Sequence, residues 1–255
     1  MKNSENKVKS WKDLLNKKVF LATFIAVVFL TKVASEVVHE VFGHGLFILL
    51  FGGKITGLYI SVLWPYDFSY IGQDMPSTVD SFQWAWVLAG GIFMCLCLSF
   101  MTQAFLLVKK KVQWHLAVAL FCFAFWTLVN STGYLIIGGL TPFGDVLELI
   151  RLGVLTKGLS LVLGLTAFAL GFAILSRVLG RILPEVFSPR KARYGVAVFW
   201  LLIPLLVIVM LANPEHRLEV SYLPLTFIPA LLSFAMDKLL FLPKQKSKED
   251  PNDVA

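Results

Sequence analysis

The chain alternates between long apolar runs and short polar connections. Runs of helix length begin near Val19, Phe82, Gln113, Gly158, Tyr194 and Val220 and end near Phe51, Val108, Ile137, Leu179, Ala212 and Leu242. Crossing a bilayer takes about 20 apolar residues as a helix, and these runs lack the strict alternation of strands. The pattern predicts an all-α integral membrane protein of about six transmembrane helices. The first run is too long for one upright helix, so it must tilt, protrude or break near Gly43 and Gly45. The stretch "GGKITGLYISVLWPYDFSYIG", residues 52–72, is Gly-punctuated and rich in β-branched and aromatic residues. It predicts a short β-hairpin-like segment at the membrane surface after the first span. The chain thus divides into a basic, amphipathic N-terminus (1–18), a membrane core of three spans (19–148), three further transmembrane helices (149–242) and a polar, disordered tail (243–255).

Composition agrees with this picture. Hydrophobic residues make up 57% and charged residues 15% of the 255, with a mean hydropathy of +0.76, whereas soluble domains carry about 25% charged residues. The formal charge of +7 does not point to nucleic acid, because Lys and Arg sit in the connections that set membrane topology. The N-terminal lysines, Lys109–Lys111, the cluster Arg177 to Arg193 and Lys244 to Lys248 all fall on one side of a six-span arrangement. Asp67, Asp74, Asp80, Asp145, Glu148, Glu215 and Glu219 fall on the other. The positive-inside rule then predicts a cell-membrane protein in contact with the lipid bilayer and with both termini cytoplasmic. No cleavable signal peptide is expected. Cys95, Cys97 and Cys122 lie inside apolar runs and read as small packing residues, not a disulfide framework.

The candidate chemistry is concentrated in "SEVVHEVFGHGLF", residues 35–47. An ionisable group within a bilayer costs at least about 2.5–3.5 kcal/mol on insertion scales. The first span nonetheless carries Lys32, Glu36, His39, Glu40 and His44. Lys32, Glu36, Glu40 and His44 are successively four apart and form one stripe on a helix, with His39 beside it. The stripe must therefore face protein or a wet cavity. Imidazole and carboxylate are zinc ligands, and a Glu next to a ligating His can serve as general base. The same stripe could instead carry protons or ions.

Spacing poses the central question. In H-E-x-x-H the two histidines are four apart, about 40° around an α-helix; His39 and His44 are five apart, about 140°. A π-turn would absorb the extra residue, and Gly43 makes the local backbone adaptable. If the helix stays regular, the natural pair is Glu40 with His44.

"HEVFGHGLFILLFGGKITGLYI" resembles the active-site segment of the site-2 protease family of intramembrane zinc metalloproteases, in which H-E-x-G-H is followed by an apolar stretch, Gly-Gly and a short strand. "LAGGIF" (88–93) is similar to the small-residue stretch of that family's next helix. "NSTGYLIIGGLTPFGDV" (130–146) is similar to the segment in which a Pro-containing turn delivers an aspartate ligand. The resemblance covers about residues 33–148. It implies His39, His44 and Asp145 as ligands of one Zn2+, Glu40 as general base, and a peptide or membrane-protein segment as substrate. The sequence departs from the family in the inserted residue, in Gly90-Gly91 where the family has Gly-Pro, and in Val146 after the aspartate. The predicted topology brings the ends of the first and third spans to the same outer side, so His39, His44 and Asp145 can meet at one depth.

Three readings follow: an intramembrane zinc protease, a proton- or ion-coupled transporter using the Lys32/Glu36/Glu40/His44 stripe, and a non-catalytic protease-like binding protein. Glu36 is expected to neutralise Lys32 or support His39 from behind rather than ligate. Asn130 is expected to bond another helix or a substrate backbone. His216, on the outer side, is a possible extra ligand.

Overall fold

The structure, a computed structural model, describes residues 2–62, 69–109, 112–188, 191–192, 194–200 and 202, and for residues 2–17 and 20 the backbone alone. Helix α1 (Lys2–Val37) runs into a π-helical segment (Val38–Gly45) and then α2 (Leu46–Leu50). Strands β1 (Lys54–Tyr59) and β2 (Tyr70–Asp74) follow, then α3 (Ser81–Val108), α4 (Trp114–Leu140), α5 (Gly144–Arg151) and α6 (Lys157–Ile182), which closes in a 3-10 turn (Leu183–Glu185). Among the described residues, four stretches are long and apolar enough to cross a membrane: Leu21–Leu50, Ser81–Val108, Trp114–Leu140 and Lys157–Glu185. They coincide with the first four predicted spans. Of the fifth, residues 194–200 and 202 are helical; its remainder and the whole of the sixth lie outside the described residues.

The long first run does not break at its glycines. Val37 and Leu46, which flank the π segment, both keep right-handed helical geometry, so the helix widens and continues. It ends only after Leu50, where Gly52 takes φ +78° and the Gly53 N–H reaches back to the Ile48 carbonyl at 2.8 Å. Only a residue without Cβ enters that left-handed turn cheaply. At the start of α3 the Asp80 carboxylate accepts the Gln83 backbone N–H at 2.7 Å, and the Gln83 side chain accepts the Asp80 N–H at 3.2 Å. This reciprocal cap satisfies donors that α3 would otherwise leave orphaned.

The central layer is α4 against α6. Phe121, Phe125, Leu128, Phe168, Phe172 and Leu175 are buried there, and Phe199 stacks on Phe172 with ring centroids 4.2 Å apart. In lipid the apolar effect does not drive helices together, so close approach through small residues and polar bonds does. Gly164 lies against Leu135 and Ile136, Gly171 against Leu128, and the Ser160 hydroxyl donates to the Leu135 carbonyl at 2.8 Å. The three cysteines are free, as their apolar settings predict.

β1 and β2 pair antiparallel, Tyr59 opposite Tyr70 and Lys54 opposite Asp74. The hairpin is present as the sequence pattern predicts, but it is not wholly a surface element. Ser61 and Ser69, at its far end, are buried. Lys32 donates to the Ser61 carbonyl at 2.7 Å, and the Ser69 hydroxyl donates to Glu36 at 2.7 Å. Lys32 is twelve residues before His44, about 18 Å along a helix, so the hairpin extends along α1 rather than only across its end. The reason is electrostatic: a Lys and a Glu inside the bundle need partners, and the hairpin supplies them.

Candidate metal centre

Three elements bring the site together. The π segment carries His39, Glu40 and His44; α3 packs on it; and α5 delivers Asp145. The His39 Nε2 lies 3.4 Å and the His44 Nε2 3.3 Å from Asp145 Oδ2, and the three ligand atoms all fall within 4.8 Å of one another. Of the two local geometries open to the sequence, the chain takes the π-turn. One residue is absorbed, and five residues then do what four do in an α-helix. His44 comes round beside His39, their ring centroids 4.9 Å apart.

Gly43 serves this arrangement differently from the expectation. It is not among the residues with positive φ; what matters is its missing side chain. A Cβ on Gly43 would fall on the backbone of Gly91, and one on Gly90 would come within 2.7 Å of the Gly43 carbonyl oxygen. The π segment and α3 therefore touch backbone to backbone. That contact lets the His44 Nδ1–H donate to the Val87 carbonyl at 2.6 Å. The bond fixes the ring and leaves Nε2, which faces Asp145, with its lone pair available for a ligand.

Gly91 is equally specific. A Cβ there would stand 2.5 Å from His39 Nε2 and 2.6–2.7 Å from two ring carbons. Gly90 thus admits the π segment and Gly91 admits the imidazole. Gly91→Ala is expected to displace the His39 ring at a cost of about 1–3 kcal/mol, the usual range for overpacking. Bound metal per chain should fall while far-UV circular dichroism keeps its helical signal; full metal content in this variant would contradict the packing argument.

Asp145 is placed by the turn after α4. Pro142 cannot continue the helix, Gly144 adopts φ +48°, and Asp145 enters the first turn of α5, where the helix dipole favours a carboxylate. Val146 is fully buried and sits in the space left by Gly138, where a Cβ would come within 2.6 Å of it. Partial burial alone would raise the Asp145 carboxyl; the His44 and His39 rings outweigh it and hold it below the usual carboxylate range.

These residues fit a metal ion on their own chemistry. Both His39 ring nitrogens are buried without a hydrogen-bond partner among the described residues, an expensive state for a polar ring. The 3.3–3.4 Å spacings exceed a good charge-assisted hydrogen bond of about 2.7–2.9 Å. These two His–Asp spacings match the edge of a tetrahedron with ligand bonds of about 2.0–2.1 Å, which is about 3.4 Å, and the three ligand atoms together lie within 4.8 Å of one another.

Glu36 turns out to belong to Lys32. Its Oε1 lies 3.6 Å from the Lys32 ammonium and accepts the Asn130 amide at 3.1 Å, while its Oε2 accepts from Ser69. It does not support His39, whose Nδ1 stays unpartnered among the described residues. Asn130 bonds α4 to α1, the helix-packing role. His216 lies outside the described residues.

A cavity of about 440 Å³ opens beside the centre, lined by Glu40, His44 and Asp145 on one side and by β2 residues Tyr70, Ile71 and Gln73 on another. Tyr134 and Phe143 complete its wall. Tyr134 stacks on His39 with centroids 4.8 Å apart. A tyrosine in an apolar helix reads as packing, and eleven positions separate it from Asp145, so no local spacing marked it. Ser61, Ser69 and Gly91 were likewise not legible as site residues; only the rule that intramembrane charges need partners pointed toward the first two.

The chain matches no protein-family model, no curated protein and no solved structure. Fold and site define a mostly helical chain that has, among the described residues, four helices of membrane-spanning length and a His39/His44/Asp145 group, both histidines buried, that could hold a metal ion.

Proposed function

We propose that the protein is a membrane-embedded zinc metalloprotease that hydrolyses peptide bonds in or near transmembrane segments. The observation that carries this reading is the convergence of His39, His44 and Asp145 beside Glu40 at the wall of one cavity. Two imidazoles and one carboxylate leave a fourth position open, the arrangement of catalytic rather than structural zinc. A bound Zn2+ would supply Lewis-acid polarisation of a carbonyl and an acidified water.

The protein's own groups supply the rest. Glu40 lines the cavity and in this reading takes a proton from the attacking water and returns it to the leaving amine. A helical substrate must unwind to expose its carbonyl, and unwound backbone within lipid needs hydrogen-bond partners. β2 borders the cavity and pairs only with β1 among the described strands, so its outer edge can accept an extended peptide.

Lys32 and Glu36 favour this reading over a transport stripe. Both are committed to Ser61, Ser69 and Asn130, which leaves Glu40 and His44 as the groups at the cavity. Detergent-purified protein is expected to carry about one zinc per chain by mass spectrometry. It should cleave at least one member of a panel of single-span membrane segments, and a chelator should abolish the cleavage. Protein that neither carries nor takes up zinc overturns the proposal.

A further inference from the structure

Tyr134 is buried, with 8% of its surface exposed. Its ring lies between two others: it stacks on His39 at 4.8 Å and on Phe143 at 5.3 Å, with interplanar angles of 21° and 26°. A phenylalanine would fill that slot as well. The hydroxyl is the part that packing does not explain. It is not among the buried polar atoms left without a partner, and no described residue hydrogen-bonds to it. Tyr134 lines the cavity together with Glu40, His44 and Asp145, and its hydroxyl keeps some exposed surface. Asp145 and Glu40 both lie within electrostatic range of the phenol.

The cavity thus presents a base, a ligand set and several neutral donors, Tyr70, Gln73 and Tyr134 among them; of these, Tyr134 is the one stacked on a ligand ring. Resting on the protease reading, we propose that Tyr134 is a further catalytic residue, whose O–H donates a hydrogen bond to the oxyanion formed when the peptide carbonyl is attacked. In the attack, the water oxygen bonds to the carbonyl carbon, the π pair moves onto the carbonyl oxygen, and the water proton passes to Glu40. Tyr134 keeps its proton and stabilises the charge on that oxygen. In the collapse, the C=O bond re-forms, the C–N bond breaks, and Glu40 returns the proton to the amine nitrogen. A donor already held in place by stacking on two rings needs no reorganisation as charge develops, which is what makes such donors effective. The stack on His39 also ties the donor's position to that of a ligand ring.

The test is Tyr134→Phe, which removes the hydroxyl and keeps the stack. Zinc content, melting temperature in detergent and KM should stay as in the wild type, while kcat falls about 10²–10³-fold, the usual effect of losing one oxyanion donor. Independently of turnover, affinity for a phosphinic peptide, which mimics the tetrahedral state, should weaken at least about tenfold, while affinity for the product peptide is unchanged. Wild-type kcat and phosphinic affinity in Tyr134→Phe overturn the role of Tyr134 and leave the protease reading standing. Loss of zinc in that variant also overturns it, because the hydroxyl then serves the metal site. A wild-type protein without zinc or cleavage overturns both.

Discussion

Glu40→Gln is expected to keep the metal and to lose cleavage by about 10²–10⁴-fold, the span that a positioned general base contributes. The substitution is nearly isosteric, so the π segment and its contact with α3 should persist. What disappears is a carboxylate that faces the cavity beside the two imidazoles. The ligand positions should behave in the opposite way. His39→Ala, His44→Ala and Asp145→Ala each delete one of three donors and should lose zinc outright, and activity with it. Metal content by mass spectrometry and cleavage of a single-span substrate separate the two classes. A Glu40→Gln protein that has lost its zinc would mean that Glu40 ligates. Retained cleavage in that variant would sink the general-base role.

The membrane helices were legible because their signal is local. Lengths and apolar content fix α3, α4 and α6 to within a few residues, and Gly-Gly followed by β-branched residues marks β1. Within the site, His39, Glu40 and His44 stood out because ionisable groups inside an apolar run are costly, so each one must be explained; Asp145 was marked only by the resemblance of its Pro-containing turn to a ligand-bearing segment. Partners across the fold could not be read this way. Glu36 meets Ser69 and Asn130, 33 and 94 positions away, and nothing in the residues around Glu36 specifies either. Gly43 looked like a source of backbone freedom and proved to be a surface for close approach. Whether a glycine serves φ or contact depends on what faces it, here Gly90 and Gly91. Tyr134 was hidden for a related reason: in an apolar helix it reads as packing, and its place in the cavity wall is set by elements distant in sequence.

The π segment itself was undecidable from sequence, because its cause is tertiary: the backbone contact of Gly43 with α3 and the bond from His44 to the Val87 carbonyl hold it open. This leads to the second large effect. Deleting Phe42, which is 55% exposed, leaves His39 and His44 four apart. A regular α-helix then places them about 40° apart, close to what the π-turn now achieves, and the faces of α1 and α2 keep their directions. The deletion is expected to retain zinc, with affinity within about tenfold (about 1.4 kcal/mol) of the wild type. Inserting an alanine between Phe42 and Gly43 should have the reverse outcome. The histidines would then stand six apart, and the added residue rotates one ring away by about 100°, so zinc should be lost. Equilibrium competition with a zinc indicator measures both variants on one scale. If the deletion loses zinc while its helical circular dichroism persists, the widened turn is required for the ligand geometry. If it binds zinc as expected, the π-turn is the means by which one extra residue is absorbed without moving either histidine from the metal.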